Sequence, residues 1–91
     1  MKRRVSFKVK GRVQGVAFRV TARDEAERLG VGGWIRNETD GSVAGEVEGE
    51  ASDVDAFLAW CKRGPMGARV EGVDVSDHTF YGESKRFEIR R

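Results

Sequence analysis

The sequence has little of the chemistry on which disulfides, metal sites and covalent catalysis depend. Its 91 residues include one cysteine, Cys61, and one histidine, His78. A single cysteine cannot form an intrachain disulfide, and no group of residues has the spacing of a metal site. His78 has no second histidine near it, and Cys61 lies on an apolar stripe with no activating partner. We therefore expect Cys61 in the core, His78 solvated or hydrogen-bonded, and no metal or cofactor.

Long apolar runs are also missing, and so is a large excess of one charge. No segment approaches the apolar length that spans a bilayer, and the basic start at residues 1–4 is followed by an alternating pattern, unlike a signal peptide. We therefore expect a cytoplasmic protein with no membrane partner, and nothing demands more than a monomer. The formal net charge is only +2, from 17 basic and 15 acidic residues. This balance, without an RNA-reading aromatic motif, disfavours a nucleic-acid partner, although a pI near 9.0 keeps that alternative open.

The length predicts a single domain, residues 1–91, and the spacing of apolar residues predicts five strands and two helices within it. Residues 4–10 alternate like a half-buried strand, and apolar residues recur at helical spacing from Phe18 to Leu29, where Gly30 ends the helix. The remaining elements are a strand near 33–37, a hairpin turn at Asp40-Gly41, a strand with Val43 and Val47, a helix that Ser52 caps and Gly64-Pro65 ends, a strand with Val70, Val73 and Val75, and a short strand with Phe87 and Ile89. This order suits an α+β fold, the ferredoxin-like α/β sandwich (βαββαβ), with an antiparallel sheet and both helices on one face.

The segment from Gly11 to Arg19 joins the first strand to the first helix and has the features of an anion cradle. Backbone N–H groups in a glycine-containing turn and at a helix N-terminus lack intrachain partners, so they can donate to phosphate oxygens. Arg19 adds a planar, permanently charged guanidinium that matches phosphate geometry. The segment has neither the Gly-Lys-Ser/Thr ending of a P-loop nor the dinucleotide glycine spacing. Plain turn chemistry stays open as the alternative for its glycines.

Asn37 ends the second strand just before the Asp40-Gly41 turn. In a ferredoxin-like sheet the first and second strands both connect to the first helix, so their ends can converge. A neutral amide can accept a hydrogen bond from a water molecule and donate one to an oxyanion. The alternative is that Asn37 only supports the turn.

Two segments together resemble the acylphosphatase family. The first runs from Val9 to Arg19, and the second runs from Gly33 to Val43, with Gly49 beyond it. Their order and separation are also similar to the family, and the resemblance covers nearly the whole chain. Ile35, where smaller residues are commoner, departs mildly from the pattern at a packing position.

The resemblance implies metal-independent hydrolysis of the carboxyl–phosphate bond of a small-molecule acyl phosphate, giving a carboxylate and inorganic phosphate. By motif position, Arg19 would hold the phosphate and Asn37 would position the attacking water. The backbone N–H donors would come from Gln14, Gly15, Val16, Ala17, Phe18 and Arg19.

A second interpretation keeps the fold and removes the catalysis. The chain would then be a module that binds a phosphorylated or carbamoylated ligand. The same fold occurs as a domain within larger carbamoyl-transfer maturation proteins of the hydrogenase pathway, which this sequence also resembles. Because this sequence has no zinc-finger cysteines or further segments, we expect a free-standing enzyme.

Overall fold

Seven secondary-structure elements follow one another in the predicted order. The computed structural model describes residues 1–91, and the elements are β1 (Lys2–Arg12), α1 (Phe18–Leu29), β2 (Gly32–Asn37), β3 (Val43–Glu50), α2 (Ala51–Arg63), β4 (Arg69–His78) and β5 (Phe87–Arg90). Every predicted strand and helix is present. Neither helix is long and apolar enough to cross a membrane.

The five strands form one sheet in the order β4-β1-β3-β2-β5. The pairs β1–β3, β1–β4 and β2–β3 are antiparallel, as predicted, whereas β2–β5 is parallel. The sheet is therefore mixed, not wholly antiparallel. The reason is that β4 ends at the edge where β1 and β2 begin. The chain starts β5 from that same edge, so β5 runs in the direction of β2.

Both helices cover one face of the sheet and bury the core there. Val5, Phe7 and Val9 of β1 alternate toward the helices and are at most 3% exposed. Ile35, the mild departure from the family pattern, is fully buried. Each helix contributes one apolar stripe, and the aromatic rings of Phe18 in α1 and Trp60 in α2 pack at 5.3 Å between centroids. The ferredoxin-like arrangement is thus confirmed.

The start of α2 differs from the prediction, which placed Ser52 at the N-cap. The helix begins at Ala51, its cap residue is Glu50, and no side chain caps it by a hydrogen bond. The physical reason is that β3 runs directly into α2 without a loop. The N–H of Ala51 instead donates to the carbonyl of Met1 at 2.8 Å, so the start of β1 takes the place of a cap.

Candidate active site

The phosphate-loop candidate and Asn37 meet at one edge of the sheet. β1 and β2 both run antiparallel to β3, so they point the same way and their carboxyl ends lie at the same edge. The loop leaves β1 after Arg12, and Asn37 is the last residue of β2. The predicted convergence of these two strand ends is therefore found in the structure.

The loop before α1 presents a run of unpaired backbone donors. No N–H group from Gln14 to Val20 donates to a backbone or side-chain acceptor of the protein. Gly15 has φ +74° and Ala17 has φ +59°, so two left-handed residues turn the chain sharply into the helix. A helix N-terminus of this kind carries a partial positive charge as well as free donors.

Arg19 lies in the first turn of α1 and forms no ion pair, whereas Arg23 and Arg28 on the same helix pair with Asp24 and Glu25. Arg19 as a residue is half-buried, and the one hydrogen bond of its guanidinium is a long donation from Nη1 to the carbonyl of Arg90 at 3.4 Å. Because that acceptor is neutral, the charge of Arg19 is left available to an anion.

Asn37 is half-buried, and its side-chain amide forms no hydrogen bond within the protein. Its neighbour two residues back, Ile35, faces the core, so Asn37 lies on the helix-facing side of β2. The turn after it is held by other groups: Asp40 accepts hydrogen bonds from the backbone N–H of Ser42 at 3.0 Å and from its hydroxyl at 2.6 Å. No hydrogen bond of the Asn37 side chain therefore supports the alternative that it stabilises the turn.

A small pocket of about 120 Å³ brings these groups together. Its lining residues are Val13, Gly15, Ala17, Phe18, Arg19, Val20 and Asn37. A larger cavity of about 680 Å³ lies on the opposite, open face of the sheet, where Arg4, Glu46 and Trp34 contribute to its walls. We place the site in the smaller pocket because it combines unpaired amides, an unpaired guanidinium and a free carboxamide, which the larger cavity does not.

The side chain of Gln14 has a contact that sequence reasoning missed, since the sequence predicts only a backbone role for this residue. Its Nε2 donates to the carbonyl of Glu38 at 2.8 Å and to the carbonyl of Ser42 at 2.9 Å. The available signal was a long carboxamide inside a glycine-containing loop, where a polar side chain needs partners. The identity of those partners depends on the sheet.

Electrostatics next to the site come from an exposed ion pair on the turn. Lys8 Nζ lies 2.8 Å from Asp40. This hydrogen bond, together with those from Ser42, holds the pKa of the Asp40 carboxyl well below its usual range. The same contact raises the pKa of Lys8. The turn that follows Asn37 therefore carries a carboxylate that stays ionised at neutral pH.

The remaining candidates lie elsewhere. Cys61 is fully buried in the core, as predicted, and burial raises the pKa of its thiol. His78 is exposed, and its Nε2 is 2.9 Å from the hydroxyl of Ser6, as expected of a hydrogen-bonded surface histidine. The His, Cys, Asp and Glu side chains form no group of three or more that could hold a metal ion.

Sequence comparison assigns the chain to a family. The acylphosphatase family model matches residues 5–89. The chain belongs to the acylphosphatase family. It is 52% identical over 88 residues to an acylphosphatase of Rubrobacter xylanophilus, and the match covers 97% of this chain and 80% of the relative. Membership over nearly the full chain makes the protein an enzyme of the acylphosphatase class, a hydrolase.

Solved structures agree with the assignment. The acylphosphatase of Bacillus subtilis is 31% identical, superposes with a TM-score of 0.93, and is covered completely by this chain, as this chain is by it. Full-length HypF in a phosphate- and nucleotide-bound form is 26% identical with a TM-score of 0.84, and the match covers 100% of this chain but 12% of HypF. The same fold therefore occurs both as a complete acylphosphatase and as a small part of a larger chain.

Proposed function

We propose that this acylphosphatase hydrolyses the carboxyl–phosphate bond of small-molecule acyl phosphates to a carboxylate and inorganic phosphate, without a metal or another cofactor. The observation that carries the proposal is the set of unpaired groups at one pocket. The N–H groups from Gln14 to Val20, the guanidinium of Arg19 and the amide of Asn37 have no competing strong partner in the protein.

The loop and Arg19 bind the phosphoryl group. Donors at the N-terminus of α1 face the negative oxygens, and the guanidinium supplies two parallel N–H donors to the same group. In phosphoryl transfer, charge spreads over the equatorial oxygens as the bond breaks, so fixed donors of this kind stabilise the transition state. Arg19 can turn from the neutral carbonyl of Arg90 to a dianion at little cost, because the bond it gives up is long.

Asn37 positions the attacking water. A carboxamide is too weak a base to take a proton at neutral pH, so the role of Asn37 is orientation, with its oxygen accepting from the water. Holding the nucleophile in line with the leaving group removes much of the entropic barrier.

The leaving group explains why the site needs no acid. An acyl phosphate releases a carboxylate, whose low basicity makes protonation during departure unnecessary. Binding, charge stabilisation and a placed water then suffice for the reaction. Hydrolysis of a phosphate monoester would release a basic alkoxide, and the pocket lacks a group to protonate it.

The setting of the enzyme is part of the proposal. We expect one domain over residues 1–91, because the buried apolar side chains form a single cluster of 17 residues. A monomer fits the exposed large apolar residues, which are distributed along the chain as Met1, Val20, Met66, Val75 and Tyr81. A reduced buried cysteine fits the cytoplasm. A single cooperative unfolding transition checks the first statement, sedimentation analysis checks the second, and cell fractionation checks the third.

The deciding experiment measures the loss of benzoyl phosphate by ultraviolet absorbance in excess chelator, for the parent protein and for Asn37→Ala. We expect rapid hydrolysis by the parent. In the variant we expect kcat to fall at least about a hundredfold, with affinity for inorganic phosphate nearly unchanged. Thr39→Ala, an exposed change two residues on in the same turn, is the control and keeps the parent rate.

Two outcomes would contradict the proposal. Absence of hydrolysis by folded parent protein would favour the non-catalytic, ligand-binding interpretation. Equal turnover in Asn37→Ala and the parent would remove the water-positioning role and leave the rest of the site standing.

A further inference from the structure

Gln14 bridges two parts of the site that no backbone hydrogen bond joins. Its single Nε2 group donates at 2.8 Å to the carbonyl of Glu38, the residue after Asn37, and at 2.9 Å to the carbonyl of Ser42. Both hydrogens of the amide are therefore used. The two acceptors lie 24 and 28 residues along the chain, on either side of the β2–β3 turn.

The phosphate loop has few other attachments at this point. Its N–H groups from Gln14 to Val20 are unpaired, and the backbone hydrogen bond that the carbonyl of Ala17 accepts from Thr21 ties the loop to α1 and not to the turn after Asn37. The turn after Asn37 is internally well bonded: Glu38 donates to the carbonyl of Ser42 at 2.8 Å, and Gly41 donates to the carbonyl of Glu38 at 3.2 Å. The amide of Gln14 adds the second donor to each of these carbonyls.

We infer that the side chain of Gln14 is a positioning residue that sets the distance between the phosphate cradle and the water held by Asn37. This inference rests on the proposed function of the site. Arg19 and the loop amides fix the phosphorus, and Asn37 fixes the nucleophile, but the two belong to different elements. The two hydrogen bonds from Gln14 Nε2 connect these elements, and this connection keeps the water in line with the breaking bond.

The two hydrogen bonds that Gln14 donates require a carboxamide of this length. Glutamate has the same length, but its carboxylate would face two carbonyl oxygens and repel both. Methionine has a similar volume and no donor. Asparagine is one methylene shorter and cannot reach both carbonyls with the loop in its present position. Each substitution leaves the phosphate donors themselves intact.

The expected effect lies in turnover and not in phosphate binding. A displacement of about 1 Å between reacting groups lowers a rate on the order of a hundredfold. We expect Gln14→Met and Gln14→Glu to lower kcat for benzoyl phosphate by about ten- to a hundredfold, with the inhibition constant of inorganic phosphate within about threefold of the parent.

A control variant separates positioning from general loosening of the turn. Lys8→Met removes the ion pair between Lys8 and Asp40, which also ties the turn to β1 but does not involve the loop. We expect this variant to keep the parent kcat. A Gln14→Met variant that loses kcat no more than Lys8→Met would overturn the inference.

A double-mutant cycle provides the test that a merely structural role would not pass. If Gln14 acts through Asn37, then Gln14→Met costs at least tenfold in the parent and less than about twofold in the Asn37→Ala background. Equal losses in the two backgrounds would overturn the inference while leaving the acylphosphatase mechanism intact. A folded parent without hydrolysis would remove both, so the two failures are distinguishable. Circular dichroism establishes that each variant is folded at the assay temperature.

Discussion

The availability of Arg19 comes from the partners that it lacks. Arg4, by contrast, is engaged by Glu46 and Glu48, and Arg28 is engaged by Glu25. Arginine side chains usually find carboxylates or solvent, so an unpaired guanidinium beside unpaired N–H groups is an informative arrangement. The three side chains differ accordingly: Arg19 and Asn37 have free donors, whereas both N–H groups of the Gln14 side chain are used.

At the residue scale we predict that Arg19→Ala lowers kcat/KM for benzoyl phosphate on the order of a thousandfold and raises the inhibition constant of inorganic phosphate. Arg19→Lys should recover little, because an ammonium cannot reproduce two parallel N–H donors. Steady-state kinetics measure both. Arg23→Ala, which removes the arginine one turn along α1 that pairs with Asp24, is the control and keeps parent kinetics. Full activity in Arg19→Lys would show that charge alone matters.

Close packing of the three central strands, β1, β3 and β2, determines the position of Asn37. Gly45 of β3 lies opposite Phe7 of β1 and Ile35 of β2. A Cβ atom at Gly45 would lie 2.0 Å from the backbone oxygen of Trp34 and 2.9 Å from the ring of Phe7. The glycine thus allows β2 and the large Phe7 ring to approach β3 together, and β2 carries Asn37 at its end.

At the element scale we predict that Gly45→Ala destabilises the fold by about 3 kcal/mol, the upper part of the usual range for overpacking, because backbone must move to admit the methyl group. Gly72→Ala in β4 is the matched control, since a Cβ there meets nothing within 4 Å. Urea unfolding followed by circular dichroism measures the free energies of unfolding. Similar stabilities for the two variants would show that the β2–β3 spacing can widen freely.

At the scale of the whole molecule, the two faces of the sheet are built differently. The helices bury one face in apolar contacts, whereas the segment that crosses from β4 to β5 contacts the open face through Ser84, whose hydroxyl accepts a hydrogen bond from Arg4 at 3.4 Å. Arg4 and Glu48 form an ion pair on that open face, yet their side chains are only 7% and 3% exposed. Glu83, from the crossing segment, lies 3.6 Å from Arg4. A buried charge pair therefore holds together strands and segment far apart in the sequence.

We predict that Arg4→Met destabilises the protein by about 3–5 kcal/mol, because it leaves the buried carboxylate of Glu48 without a partner. The double variant Arg4→Met/Glu48→Leu should recover most of this loss, since apolar side chains can replace a buried ion pair. Thermal and urea unfolding measure both. Lys2→Met, which removes an exposed ion pair with Glu50, is the control and costs less than about 1 kcal/mol. A loss in Arg4→Met as small as in Lys2→Met would mean that the open-face pair is solvated.

Much of the fold and of the candidate site is local in the sequence. The alternation in β1 and the helical spacing from Phe18 to Leu29 predict their elements because strand and helix periods act over a few residues. The loop with Gly15 and the position of Asn37 at a strand end are local as well. In the ferredoxin-like fold the strand order places the loop and Asn37 at the same edge of the sheet. The sequence was therefore enough to predict that they lie close together.

The tertiary structure determines the features that depend on contacts between residues far apart in the chain. The start of α2 at Ala51 follows from a bond to Met1, and the parallel pairing of β5 follows from the edge at which β4 ends. The connection made by Gln14 depends on carbonyls 24 and 28 residues away. Sequence periodicity records which way a side chain faces, but a hydrogen bond forms only where two chain segments meet. For this reason the sequence alone predicted the elements and the components of the candidate site, and the assembled sheet determined how those residues are held relative to one another.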